Sequence, residues 1–421
     1  THRDTIRYAK FDGTNWAVED VATVSTVMLS GISMTFRGNT PLVAYLGGTP
    51  HGGRQICGGT DLIVAEGPDN WTENVAVAVS NEAAAGSDCP KMQGICDFGD
   101  VVGLWPSIAR SQDGSIIGAV YRDVHNGYTK DADDAADLEY AYQTGGGGWG
   151  HEWIDLARGS GDFSSLAFGN DGEPAVAYYN GEVGTVDHKS PILFAKRPWA
   201  EWTQPVMPCT TNADCPNGQA CAGQECVCTT DSQCEGDMRC IDSHRCSAVI
   251  DALDSGLDEK SISLAVGPDG RYLVAYYDPD EQNLMIAHSE DGITWSRGIV
   301  DADGNTGMYP SIVILPNTSK PAIAYYRCGE YNPGDPQCNR NHDGPRFAYF
   351  KGEYPLDLTT QSKWKKSYVS STGSADKVAF DGRHISLAVL PDGTIGVAYY
   401  YSWVSGNETL EHLMFHKGTW E

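Results

Sequence analysis

Three arginines, a histidine and a tyrosine carry the chemistry this chain could perform. When its internal repeats are aligned, Gly31, Trp105, Phe163, Ser261, Tyr309 and His384 share one position, two residues before a recurring serine. Gly47, Arg122, Asn180, Asp278, Arg327 and Tyr401 share another, just after a recurring strand, and Arg383 adjoins His384. Arginine is scarce in this acidic chain, and its guanidinium fork binds a carboxylate or sulfate through two parallel N–H donors. Arg122, Arg327 and Arg383 would neutralise such a group, with His384 and Tyr309 as base and acid. The aromatic rings at these positions would stack on sugar rings. The alternative is structural: each arginine pairs with a local acid such as Asp123, and the aromatics cap the core.

Other side chains offer ligand atoms. His51, His125, His188, His342, His384 and His412 fall on or near the same face, but no two of these six stand at a His-x-His or His-x-x-x-His spacing that would support a metal. Asp278, Asp280, Asp301 and Asp303 lie in two acidic segments that could hold calcium with backbone carbonyls. Neither segment matches an EF-hand loop, and turn formation explains Asp-Gly equally well. No other cofactor is expected. The nucleophile elbow, phosphate loop, dinucleotide fingerprint and His-Glu-x-x-His are all missing from the sequence. That removes several enzyme classes, but not glycan-active proteins whose residues are dispersed along the chain.

The elements that must position these residues are repeated. Ser263-Leu264-Ala265 leads through Pro268-Asp269-Gly270 to Ala275-Tyr276-Tyr277-Asp278, which reads as two strands and a tight turn. Copies start at Ser107, Ser165 and Ser386 with the same 12-residue step from Ser to Ala, and looser copies start at Ser33 and Ser311. A third strand follows each hairpin, then a tryptophan and a fourth strand. Four short antiparallel strands repeated many times predict an all-β fold, a β-propeller of four-stranded blades. The N-terminus adds one more third and fourth strand, Ile6–Lys10 and Trp16–Val21. Six blades closed by pairing of the N- and C-terminal strands is the preferred count, with seven as the alternative. The connections from second to third strand and from fourth strand to the next unit are long. In a propeller these share one face, which makes that face the candidate surface.

The Ser-Leu-Ala…Asp-Gly…Ala-Tyr-Tyr-Asp…Trp pattern resembles the sialidase-like (BNR/Asp-box type) propeller repeats of bacterial secreted proteins. The resemblance covers nearly the whole chain outside Cys209–Cys246. The nearest Asp-box match, Ser289-Glu290-Asp291-Gly292-Ile293-Thr294-Trp295, is one residue shorter between Asp and Gly than the family pattern. The resemblance implies such boxes are structural, and no Arg-Ile-Pro segment accompanies it. It therefore implies the fold rather than sialidase chemistry.

Of 13 cysteines, eight lie between Cys209 and Cys246. They form two near-copies, Cys209, Cys215, Cys221, Cys226 and Cys228, Cys234, Cys240, Cys246. Each copy has almost no large apolar residues, so four disulfides would substitute for a core. Zinc is the competing reading, but there is no Cys-x-x-Cys and His244 is the only histidine in the segment. Pairing first with third and second with fourth is the expectation. The module, residues 209–246, is expected to sit between blades, dividing a propeller of residues 1–208 and 247–421. Cys328 with Cys338 and Cys89 with Cys96 are expected to bond, which leaves Cys57 as the odd thiol unless it takes one of them.

The totals bound the partners. With 29 basic residues against 56 acidic ones the net charge is −27, which excludes a nucleic-acid footprint. No apolar run is long enough for a membrane helix. The cysteines point to a secreted, periplasmic or cell-surface protein. The leading expectation is a binding or assembly protein whose loop-bearing face engages a glycan or protein. The alternative is a hydrolase or lyase acting on acidic sugars. A surplus third strand would allow a homo- or hetero-oligomer.

Overall fold

The computed structural model describes residues 4–24, 31–47, 61–77, 91–92, 95–96, 101–124, 136–145, 147–155, 160–181, 189–199, 202, 209–222, 225–234, 236–241, 245–257, 261–328, 344–353, 357–369, 379–405 and 408–418. Two compact units result: Thr1–Val183 with Ala195–Met207, and Gly184–Phe194 with Pro208–Glu421. The long connections at 48–60, 125–135, 182–188 and 329–343 lie outside the described residues, and with them His51, His125, His188, His342, Cys57 and Cys338. Cys89 lies outside them too.

In the first unit, β1 (Asp4–Phe11) pairs with β2 (Trp16–Val24). The first blade runs β3 (Ser33–Arg37), β4 (Thr40–Gly47), β5 (Asp61–Glu66), β6 (Thr72–Val77), each strand bonded to the next. A short pair, β7 (Lys91–Met92) and β8 (Ile95–Cys96), precedes the second blade. That blade is β9 (Val101–Arg110), β10 (Ile116–Val124), β11 (Ala136–Thr144), β12 (Trp149–Asp155). The inner hairpin of the third is β13 (Ser160–Phe168) and β14 (Pro174–Asn180).

In the second unit, β15 (Ser190–Lys196, its last two residues belonging to the first unit) precedes three strands of the Cys-rich module. These are β16 (Ala220–Ala222), β17 (Glu225–Val227) and β18 (Arg239–Ile241). Strand β19 (Arg245–Leu253) then pairs with both β18 and β15. The fourth blade is β20 (Ile262–Val266), β21 (Tyr272–Asp278), β22 (Asn283–Ser289), β23 (Ser296–Asp301). The fifth is β24 (Asn305–Leu315), β25 (Lys320–Cys328), β26 (Gly344–Phe350), β27 (Trp364–Tyr368). The last sheet is β28 (Ala379–Val389), β29 (Ile395–Ser405), β30 (Glu408–Gly418). The fold is thus all-β, a β-propeller of six antiparallel blades.

Each part of the repeat has a mechanical reason. In the hairpin turns Asp113, Asp171, Asp269 and Asp392 accept the backbone N–H two residues on. The glycine that follows each one takes a left-handed conformation, φ 75–86°, which carries no steric penalty only without a Cβ. The recurring serine is a clip between neighbouring blades. Its Oγ accepts a backbone N–H from the next blade: Ile108 to Ser33, Leu166 to Ser107, Ile312 to Ser263, Leu387 to Ser311, at 3.0–3.2 Å. The recurring tyrosine donates to a carboxylate: Tyr178 to Asp155, Tyr276 to Asp251, Tyr325 to Asp301. Asp155 and Asp301 end the fourth strand of the preceding blade, and Asp251 lies near the end of its own. The faces between blades are apolar. Leu273, Ala275, Leu284, Ile286 and Val300 of the fourth blade pack on Ile312, Ile323, Tyr325, Ala348 and Phe350 of the fifth. Each fully buried Ile or Leu contributes roughly 1.5–3 kcal/mol.

One expectation is corrected. The Cys-rich module does not lie between blades, because β19, the fourth strand of the third blade, follows it and pairs with β15. It is an elaborated turn between third and fourth strands, a connection that is shorter in the other described blades. The reason is that β19 carries both ends of the junction: Cys246 pairs across to Cys240 of β18, while Asp251 sits opposite Ile192 of β15. Within the described ladders β1 pairs with β2, and β30 with β29.

The four expected module disulfides are present, first with third and second with fourth in each copy: Cys209–Cys221, Cys215–Cys226, Cys228–Cys240 and Cys234–Cys246. Sulfurs of neighbouring disulfides cluster within 4.8 Å, but as disulfide sulfurs they are not thiolate ligands. The module rests on the fourth blade. Ile293 packs against Cys228, Met238, Cys240 and Cys246, and Thr294 donates to Asp237 at 2.8 Å. Cys328 is also disulfide-bonded. Of Cys96 only the backbone is described.

Candidate functional site

The strongest local signal is a backbone one. Trp105, Phe163, Tyr309 and His384 have φ of 46, 53, 52 and 53°. These are bulky residues in a left-handed conformation, at one position of four blades. Each such residue costs about 1–3 kcal/mol and persists only where its surroundings enforce it. The enforcing feature is a double irregularity in the first strand of the blade, where the ladder to the second strand slips twice just before the recurring serine. A glycine two residues earlier makes the bend. Gly103, Gly161 and Gly307 have φ of 101–113°, and a Cβ on Gly307 would stand 2.6 Å from the Leu284 backbone. Gly382 holds the same place in sequence. The motif Gly-x-aromatic-x-Ser was therefore readable at 103–107, 161–165, 307–311 and 382–386, but the glycine was missed.

The rings so placed meet one another. In the first unit Trp105 lies 5.6 Å from Phe163, and Phe163 stacks on Tyr179 at 6.5 Å. In the second, Tyr309 lies 4.8 Å from His384, whose ring also meets Tyr400 at 6.3 Å. Tyr401 stacks on His412 at 6.2 Å. Tyr309 is buried, while His384 and His412 are exposed.

Arg122 does not occupy the place the repeat alignment assigns it. An equal distance past the repeat Ala put it level with Arg327, but Ser107 pairs with Val120, not Ala119. Because strand side chains alternate faces, this one-residue slip puts Asp123 at the aligned position and turns Arg122 to the other face. There the Arg122 guanidinium pairs with Asp162 and lies 5.6 Å over the Trp105 ring. Asn180 is fully buried and donates to Ser160 Oγ. Arg383 is described only in its backbone.

The acidic segments are engaged within the protein. Asp278 accepts the N–H groups of Asp280 and Glu281, which makes it a turn cap, and Asp280 accepts the N–H of Asp254. Asp301 is fully buried and accepts from Tyr325 at 2.7 Å, Arg346 at 2.7 Å and Lys366 at 3.1 Å. Asp303 bridges Arg327 and Arg346, at 3.2 Å to each. These carboxylates face cations, an environment that opposes a divalent ion, so the calcium expectation at Asp301 and Asp303 is not met by the geometry. Burial, reinforced by the Asp301 charge, raises the Tyr325 phenol well above its ordinary value, so it is a permanent donor here. Arg346, which sequence reasoning passed over, is the central cation of this cluster.

A parallel cluster sits in the second blade. Glu139 accepts from Tyr121 at 2.5 Å and contacts His151 Nε2 at 2.6 Å. His151 and Lys366 hold equivalent register positions, opposite Ala141 and Ala348.

No family model matches the chain, and no curated protein matches it. Among solved structures it is similar to a mutant of AofleA from Arthrobotrys oligospora, at 11% identity over 99% of this chain and 90% of that one, TM-score 0.42. It is also similar to a Trypanosoma rangeli sialidase, at 9% identity over 98% of this chain and 56% of that one, TM-score 0.45. A third is polysaccharide lyase Uly1, at 10% identity over 92% of this chain and 77% of that one, TM-score 0.41. The chain thus spans about half the length of the sialidase. Likenesses at this level say nothing of activity.

Proposed function

We propose that this protein is an extracellular binding propeller that engages a glycan through the aromatic side chains at the repeated bend. The observation that carries the reading is the left-handed conformation of Trp105, Phe163, Tyr309 and His384 at one repeat position. A packing role would be met at lower cost by a residue in ordinary extended backbone, whereas the bend sets the rings tilted against one another and leaves Trp105 and Phe163 partly exposed and His384 exposed. Aromatic faces are the usual partners of sugar rings, and acidic surface charge excludes nucleic acid as the stacking partner. The four disulfides of the module agree with maturation in an oxidising compartment. No described helix is long and apolar enough to cross a membrane.

The test is a panel of neutral and acidic polysaccharides against the protein and two variants, Phe163→Gly and His384→Gly. Glycine accepts the positive φ, so each change removes the ring and relieves strain. Affinity should fall at least tenfold in one of them while the melting temperature stays level or rises. Unchanged affinity in both would remove the aromatic reading.

A second reading is favoured by one contact. The exposed His384 ring lies 4.8 Å from the buried Tyr309 ring, a base and acid pair for cleaving an acidic sugar. Product release from the same panel, abolished in His384→Ala with affinity retained, would establish turnover.

A further inference from the structure

We infer that Arg327 and Arg346 form a clamp for a carboxylate or sulfate group of an anionic glycan, and that the Asp303 side chain occupies this clamp as a displaceable internal ligand. The inference rests on the glycan-binding reading and deepens it by naming the ligand charge.

The fifth blade departs from the repeat at this spot. The residue paired across from the recurring tyrosine is Ile63, Glu139, Met285 or Met414 in the other described ladders, and Arg346 opposite Tyr325 in this one. Arg327 follows Tyr325 by two residues, so both side chains project from the same face of β25. Tyr368 pairs opposite Arg346 on β27, and Lys366 precedes it by two. Arg327, Arg346, Lys366, Tyr325 and Tyr368 therefore share one face of one sheet. Three cations there meet two carboxylates, Asp301 and Asp303, in a chain whose net charge is −27.

The two acids differ in kind. Asp301 is fully buried and structural. Asp303 lies on the turn before β24 with its side chain 59% exposed, while the arginine side chains it bridges are each 10% exposed. One carboxylate oxygen takes Arg327 Nη2 and the other takes Arg346 Nη2, each at 3.2 Å. That is the contact an anionic ligand would make. The arginines stay in place without this side chain. Arg327 donates to the Asp303 backbone oxygen at 2.5 Å and to the Tyr368 hydroxyl at 3.0 Å. Arg346 is held by Asp301 and lies 4.7 Å over the Tyr368 ring. A preformed clamp holding an exposed, tethered carboxylate can exchange it for a stronger or multivalent anion at small reorganisation cost.

The experiment compares the full chain with Asp303→Asn and with Asp303→Asn/Arg327→Gln, using dextran sulfate, polygalacturonate and unmodified dextran as probes. Removing the internal competitor should tighten binding of at least one anionic probe by about fivefold or more, the scale of an ordinary coupling between ligands. The gain should shrink with added salt, leave unmodified dextran unaffected, and vanish in the double variant. Equal affinities in the native protein and Asp303→Asn, or a gain that survives in the double variant, would overturn the inference. Stabilisation by sodium sulfate offers a second readout: it should raise the melting temperature of Asp303→Asn more than that of the native protein. The two readings separate cleanly. Dextran binding without an anionic gain leaves the aromatic reading standing and this one refuted, and an anionic gain with no aromatic dependence does the reverse.

Discussion

The Ser311 hydroxyl oxygen accepts the Leu387 backbone N–H at 3.0 Å, which ties the fifth blade to the last. The same bond recurs at Ser33, Ser107 and Ser263, so the most repeated residue of the chain is an acceptor for a neighbouring blade rather than a nucleophile.

Ser311→Ala should therefore destabilise without touching binding. It leaves the N–H of buried Leu387 without its acceptor, which costs about 1–2 kcal/mol. Denaturant unfolding reads the loss, and an unchanged midpoint would show that water replaces the hydroxyl.

Asp301 and Tyr325 rank differently although they share a hydrogen bond. Tyr325→Phe removes one donor to the carboxylate and should cost about 1–3 kcal/mol. Asp301→Asn leaves Lys366 beside a neutral group and Arg346 with only the exposed Asp303 as its acid, and should cost more, about 3–5 kcal/mol. The reverse order in thermal or chemical unfolding would mean that the cations find other partners.

His151 gives stability a pH dependence. Its hydrogen bond to Glu139 raises its pKa against the opposing effect of burial. A histidine with a raised folded-state pKa contributes stability that is complete below its unfolded value, about 6.5, and lost as pH rises through the folded value. The native protein should thus lose melting temperature relative to His151→Gln between pH 6 and pH 8. Parallel pH profiles for the two proteins would refute this.

The Cys-rich module is predicted to be a rigid attachment rather than a tethered bead, because β19 carries Cys246 of the module and Asp251 of the blade on one strand. Cys234→Ser/Cys246→Ser opens a link spanning 12 residues, at a cost of about 2–4 kcal/mol. Limited proteolysis should cut the variant within residues 209–246 while sparing the native protein. Equal cleavage of both would show that the junction is already loose.

Much of this fold was legible in the chain because each repeated residue answers a local demand. Asp-Gly turns need an acceptor and a positive φ. Apolar strand pairs need a covered face, and a core-poor segment with eight cysteines needs disulfides. What failed to show was long-range register. Arg122 and Arg327 stand equally far past the Ala that lies 12 or 13 residues after the repeat serine, yet a one-residue slip opposite Ser107 sends Arg122 to the other face and into its pair with Asp162. The Cys-rich module was placed between blades because nothing local shows that β19 returns to pair with β15. The clamp at Arg346 was invisible for the same reason, since it is made by residues 301 to 368 meeting across three strands and a turn. The sequence by itself determined the strands, their turns and the disulfide-rich nature of the Cys209–Cys246 module, which depend on near neighbours. Only the tertiary structure decided which charges face each other, because strand register and blade stacking set those distances.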